Sequence, residues 1–291
     1  MNYKKIAFVT HPQETHWVGD GFKVHNFIPG IPGLEMKDMD PFILLDYNAK
    51  MEVTPSDTPR GVGVHPHRGF ETVTIAYNGK VQHHDSAGNG GIIGTGDVQW
   101  MTAGAGLLHE ELHSEVFTQQ GGELEMVQLW VNLPAKDKMT KGKYQAITQA
   151  QIPSIALDDA GSYLRVIAGQ YADAQGAAST FSPVNVWDIQ LAAGQQHEFN
   201  VPVGQTCIVV VRQGTVRINQ QYDVTDHSFV LFDRDDAAPI QISAEQGAGI
   251  LILTGQPLNE PIQGYGPFVM NTQQEIMQAI HDFNRGDFGE M

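Results

Sequence analysis

The chain has 291 residues, 41% of them hydrophobic, with 17 Lys+Arg against 33 Asp+Glu and a formal charge of −16. That length and apolar content can supply cores for two ordinary domains, which excludes a small peptide-like or disordered chain. The negative balance repels phosphate backbones and anionic headgroups, so neither direct nucleic-acid binding nor membrane binding is expected.

Glycine (31) and proline (15) are plentiful, while helix-period runs are scarce before the last segment, which predicts an all-β architecture of many short strands. Lys4-Lys5 precedes only Ile-Ala-Phe-Val, too short for a signal-peptide core, and no run approaches about 18 apolar residues. The lone Cys207 lies in Thr-Cys-Ile-Val-Val-Val, where a buried, reduced thiol acts as a small hydrophobe. These features predict a soluble, cytoplasmic protein.

Residues 3–50 alternate apolar stretches (IAFV, FKVHNFI, PFILLDY) with Gly and Pro-Gly turn signals. His11, His16 and His25 lie outside any paired spacing and are read as exposed or hydrogen-bonded. Residues 51–68 carry Pro55 and Pro59 and predict a loop at a barrel mouth. From Gly61 to Glu115 metal-donor residues then twice fall two positions apart, first as His65 and His67 and again as His109 and Glu111. Side chains at i and i+2 of a strand share a face, and the turns between the pairs allow four donors to converge inside a small barrel. Pro66 suits an edge strand or a strand start, because it lacks an amide for a central ladder. The competing reading of His65 and His67 is a pair of hydrogen-bonded mouth residues.

Parity trims the surplus of donors in His109-Glu110-Glu111-Leu112-His113-Ser114-Glu115. Glu110 and Leu112 face away from His109, and His113 lies roughly 13 Å from it along an extended strand, too far to share an ion. Arg68 is expected to pair with a carboxylate such as Glu71 or to be solvated, and Glu71 is read as structural. Of His83 and His84 at most one faces inward; that one can support a ligand, although a surface turn is the preferred role. Trp100 and Met101 are read as core.

After EMVQLWVNL, Pro134 and the run Lys136, Lys138, Lys141 and Lys143 mark a solvated connector. We therefore expect a metal-binding domain over 1–133, a connector over 134–160, and a second domain with a terminal helix over 161–291. Laying Gly69–Gly79 over Gly204–Gly214 places Asn200 and Pro202 where His65 and His67 stand, so the second domain lacks ligands and one metal per chain is expected. Thr272-Gln-Gln-Glu275 is a capping box that predicts a helix to about Asn284, with Ile276, Ile280 and Phe283 on one stripe and Gly286 beyond its end.

HPHRGFETV, GDVQWMTAG, LLHEEL and the terminal EPIQGYGPFVMNTQQEIMQAIHDFNRGDFG resemble the pirins, a two-domain family of the cupin superfamily, over essentially the whole chain. The resemblance implies two cupin-type β-barrel or jelly-roll domains. It also implies an iron(II)-type site with His65, His67, His109 and Glu111 as ligands. The same donors also suit manganese, nickel, copper or zinc. Some pirins resemble quercetin 2,3-dioxygenases: a flavonol gives its hydroxyl proton to Glu111 as the catalytic base and dioxygen opens the ring to a depside and carbon monoxide, with the metal as Lewis acid and template. Other pirins are transcriptional coregulators or binders of metabolic enzymes, so a non-enzymatic, iron-dependent interaction protein is the alternative.

Overall fold

The structure is a computed structural model that describes residues 2–11 and 14–291. Contacts divide it into two units that are not contiguous in sequence. One comprises Glu14–Pro32, Phe42–Gln149 and Leu258–Met291, the other Met1–Gln13, Gly33–Pro41 and Ala150–Pro257. The chain is all-β in plan, as its turn-rich sequence predicts, with two jelly-roll cupin units and a helix near its end.

In the first unit, a seven-stranded sheet runs in the order Lys143–Ile147, Val98–Thr102, Phe70–Asn78, Gly122–Asn132, Phe42–Val53, Phe22–Ile28 and His16–Val18. Its partner sheet has four strands, Gly61–His67, Leu107–His113, Val81–Asp85 and Gly90–Ile93. Gly61–His67 is an edge strand, which accommodates Pro66 opposite Leu108. Gly61 is irreplaceable for a local reason: its φ is +154°, and a Cβ there would lie 2.1 Å from the Glu111 carbonyl oxygen. That close approach brings the two donor-bearing strands together.

The connector is not simply solvated. Lys143–Ile147 pairs with Val98–Thr102, and Lys138 is buried, its ammonium donating to the Gly69 carbonyl at 2.8 Å, Asn132 Oδ1 at 2.7 Å and the Val269 carbonyl at 2.9 Å. Three converging oxygens compensate the desolvation of this charge, which a count of lysines could not foresee.

The second unit repeats the plan. Its seven-stranded sheet is Ile6–Thr10, Ser228–Phe232, Thr206–Gln213, Ala248–Gly255, Val184–Leu191, Tyr163–Ala168 and Ser154–Ala156, and its four-stranded sheet is Gln195–Phe199, Ile240–Ala244, Val216–Ile218 and Tyr222–Val224. An apolar core that includes Phe199, Val209, Ile242 and Ile252 fills the space between them. Cys207 is buried there, and burial pushes its thiol up to about 12. Asn200 and Pro202 are exposed, and His197 hydrogen-bonds the Tyr171 hydroxyl at 2.8 Å.

The terminal helix spans Gln273–Asn284 and belongs to the first unit. Thr272 accepts from the Glu275 amide and Glu275 accepts from the Thr272 amide, completing the capping box. Ile276 and Ala279 are buried, and the Phe283 ring stays partly exposed while packing against Phe268 and Phe288. Gly286 follows at φ +86°.

Candidate metal centre

His65 and His67 alternate along the edge strand Gly61–His67, and His109 and Glu111 along Leu107–His113. The two strands pair with His65 opposite His109, and a register shift before Glu111 inserts an extra residue on the edge strand. Ring centroids of His65, His67 and His109 lie 4.2–4.8 Å apart. One ligand atom from each of the three lies within 4.8 Å of the others, so three imidazoles converge on the space of one ion.

The ring nitrogens are arranged for that task. His65 Nδ1 donates to the Gly63 carbonyl at 2.7 Å, which leaves Nε2 with its lone pair. His67 hydrogen-bonds the Pro267 carbonyl, while its Nδ1 is buried without a partner. Both nitrogens of His109, which is 1% exposed, have no hydrogen-bond partner. Burial lowers the basicity of all three imidazoles, well below the usual histidine value for His67 and His109, and the neighbouring rings add to the effect there. Three converging imidazoles, two of them oriented by backbone carbonyls and with free nitrogens left on His67 and His109, suit a cation.

Strand parity places Glu111 on the buried face with His109, while Glu110 is half-buried on the other side. Glu111 Oε1 lies 3.1 Å from the Thr74 hydroxyl and 3.4 Å from His83 Nδ1. Burial pushes its carboxyl up to about 7, against the bonds from Thr74 and Gln128. Glu111 forms a second group of donors, also within 4.8 Å of one another, with His109 and His83. His109 is common to both groups.

His83 departs from the surface turn preferred for it. It is 3% exposed, and burial holds its imidazole down to about 3. The strand Val81–Asp85 buries alternate residues, Val81, His83 and Asp85, and exposes Gln82 and His84. The signal was present in the sequence, since the apolar Val81 marks the inward parity and His83 shares it. His113, by contrast, is a satisfied core histidine: its Nε2 lies 3.1 Å from the Gly21 carbonyl, and Phe22 and Phe117 pack against its ring edge to face.

Arg68 is paired, but not with Glu71. It is 4% exposed, donates from NH1 to Asp282 on the terminal helix at 2.8 Å and from Nε to the Ala105 carbonyl at 2.7 Å, and sits over the Phe288 ring. A partner 214 residues away in sequence leaves no trace in local spacing. Glu71 is buried, as a structural carboxylate should be, and accepts from the Thr102 hydroxyl at 2.8 Å. Trp100 and Met101 are fully buried core.

Trp130 and Phe70 form an aromatic wall that the sequence reading did not single out. They stack at 4.2 Å, and each ring lies 5.1 Å from that of His67. Behind Glu111 lies a cavity of about 40 Å³ lined by Asp46, Asn48 and Gln128 among apolar side chains. Burial raises Asp46 to about 6.

The Pirin family model matches residues 21–131 and the Pirin C-terminal cupin domain model residues 186–289. A Pseudomonas aeruginosa protein named as a putative quercetin 2,3-dioxygenase is 51% identical over 98% of both chains. Human pirin is 34% identical over 88% of this chain and 85% of its own. The crystal structure of a quercetin 2,3-dioxygenase from Acinetobacter baumannii is 56% identical, covers 99% of both chains and superposes with a TM-score of 0.95. Two cupin units, donors gathered at the two motifs and these matches along the length of the chain establish that it belongs to the pirin family.

Proposed function

We propose that this pirin is a metal-dependent dioxygenase of the quercetin 2,3-dioxygenase type, with His65, His67, His109 and Glu111 holding one divalent ion in the 1–133 domain. The observation that carries the proposal is the convergence of three imidazoles on one space, with His67 Nδ1 and both nitrogens of His109 buried without a protein partner. The names of the P. aeruginosa and A. baumannii relatives support the choice of reaction. Fe(II) is the metal that the pirin resemblance implies; four protein ligands would leave any octahedral ion open positions, whereas they would saturate tetrahedral zinc. When bound, the ion supplies Lewis acidity and a template.

The chain's own residues do the rest. Glu111, beside His109 and within reach of the Thr74 hydroxyl, is the residue that takes the proton of a flavonol hydroxyl. The 40 Å³ space behind it holds a few waters and is far below the roughly 300 Å³ of a small-molecule pocket. The flavonol therefore enters past His65, the half-exposed member of the three, beside exposed Val64. The half-buried Trp130 ring, beside His67 and backed by the fully buried Phe70, offers stacking for an aromatic substrate. The second unit, which takes most of the 161–291 stretch but not its terminal helix, serves as scaffold.

The test is flavonol consumption by anaerobically purified protein, before and after chelation and after return of each candidate metal. Turnover lost on chelation and restored by Fe(II) is the expected result. Bound metal with no turnover of any flavonol would replace the proposal with the interaction-protein reading.

A further inference from the structure

His83 stands directly opposite Glu111 in the pairing of Val81–Asp85 with Leu107–His113, and opposite Gly91 on its other side. Its imidazole is fully buried, and neither ring nitrogen makes a hydrogen bond of good geometry. A neutral imidazole carries one N–H, and a buried N–H requires an acceptor. The oxygen in reach is Glu111 Oε1, 3.4 Å from Nδ1. Gln128 also bonds the Glu111 carboxyl, and the Thr74 hydroxyl beside Oε1 has one proton for three oxygens: Gln128 Oε1 at 2.7 Å, Gln99 Oε1 at 3.0 Å and Glu111 Oε1 at 3.1 Å. Thr74 alone cannot be relied on to fix the carboxylate.

We propose that His83 is a positioning residue: its Nδ1–H donates to Glu111 Oε1 and turns Oε2 of that carboxylate towards the ion held by the three imidazoles. His83 is thus the second support of the centre, acting through Glu111 and not on the ion itself. Buried partners of this kind orient metal-binding side chains, and their loss typically weakens metal binding by about tenfold to a hundredfold. The inference rests on the metal reading given above and assigns a role to a residue outside the four ligands.

The experiment is a cobalt(II) titration against a competing chelating dye for the parent, His83→Leu, His83→Asn, Glu111→Gln and the Glu111→Gln/His83→Leu double variant, with thermal unfolding of each metal-free protein. We expect His83→Leu to weaken cobalt binding about tenfold or more. His83→Asn, whose amide nitrogen stands where Nδ1 does, should recover most of the loss. In the Glu111→Gln background the leucine substitution should cost little more, because its effect passes through the carboxylate. Thermal unfolding of metal-free His83→Leu reads the fold separately from the ion: a cooperative transition is expected, so that the loss of cobalt affinity is not a loss of the folded state. Parent-like affinity in His83→Leu overturns the proposal, whether or not its melting temperature falls. So does a loss of equal size in the Glu111→Gln background, which would make His83 a ligand in its own right. A parent that binds no cobalt would instead remove the metal reading itself.

Discussion

Glu110 and Glu111 carry the same carboxyl one peptide apart, and the pleat of Leu107–His113 gives them different fates: Glu111 is 7% exposed beside His109, and Glu110 lies on the half-buried outer side. Glu111→Gln should keep the fold yet weaken metal retention and abolish flavonol turnover, because an amide is a poor ligand and no base. Glu110→Gln should leave both near the parent level. Metal content and turnover of the two purified variants check this, and a loss confined to Glu110→Gln would reverse the register. Glu71 supplies a test free of metal. Burial raises its carboxyl from 4.5 to about 7, so the folded state holds the proton more tightly than the unfolded state between those values. Its contribution is favourable in acid and is lost as pH rises through that window. Glu71→Gln should therefore gain stability over the parent as pH rises from about 5 to 7, approaching about 3 kcal/mol and then levelling off. Denaturant melts at pH 5 and pH 8 measure it, and an unchanged difference between the two would show that Glu71 is not desolvated.

At the scale of elements, the terminal helix is a working part of the metal unit. Its Asp282 neutralises buried Arg68, the residue after His67. Removing one partner of such a pair leaves the other charged and unpaired in the interior. Asp282→Ala should destabilise the protein by about 3 kcal/mol, towards the lower end for buried pairs because Asp282 keeps some exposure, and Arg68→Met/Asp282→Leu should cost less than the single change. Thermal denaturation of the set decides, and a single-variant loss within about 0.5 kcal/mol would mean that the pair is worth no more than a surface bridge. The helix itself was legible, since a capping box, an apolar stripe and a terminal glycine are all local signals. So were the strand pairs that carry the donors, because an i, i+2 spacing fixes a face without knowledge of the rest of the fold. Arg68, Lys138 and the Trp130–Phe70 wall were not legible in the same way. Their partners come from distant strands and from the terminal segment, and only the closed barrel brings them together. His83 lies between these cases: Val81 announces its parity, but the register that sets it against Glu111 is a property of the sheet.

Across the whole molecule, the two units share one plan of seven and four strands, and differ in what fills the barrel: imidazoles and a carboxylate in one, aliphatic and aromatic side chains in the other. The 134–160 segment runs between the two cupin motifs, and among the described residues no helix is long and apolar enough to cross a membrane. With a charge of −16, the protein should show negligible affinity for duplex DNA near physiological salt. Micromolar binding with a steep salt dependence in a titration would revive the nucleic-acid role that the charge argues against. The central claim is that one barrel, and not both, holds an ion through His65, His67, His109 and Glu111. Its most direct test is the metal stoichiometry of anaerobically reconstituted parent and His65→Ala proteins: one ion per chain in the parent with much weaker retention in the variant is predicted, and two tightly held ions, the second surviving the substitution, would contradict it.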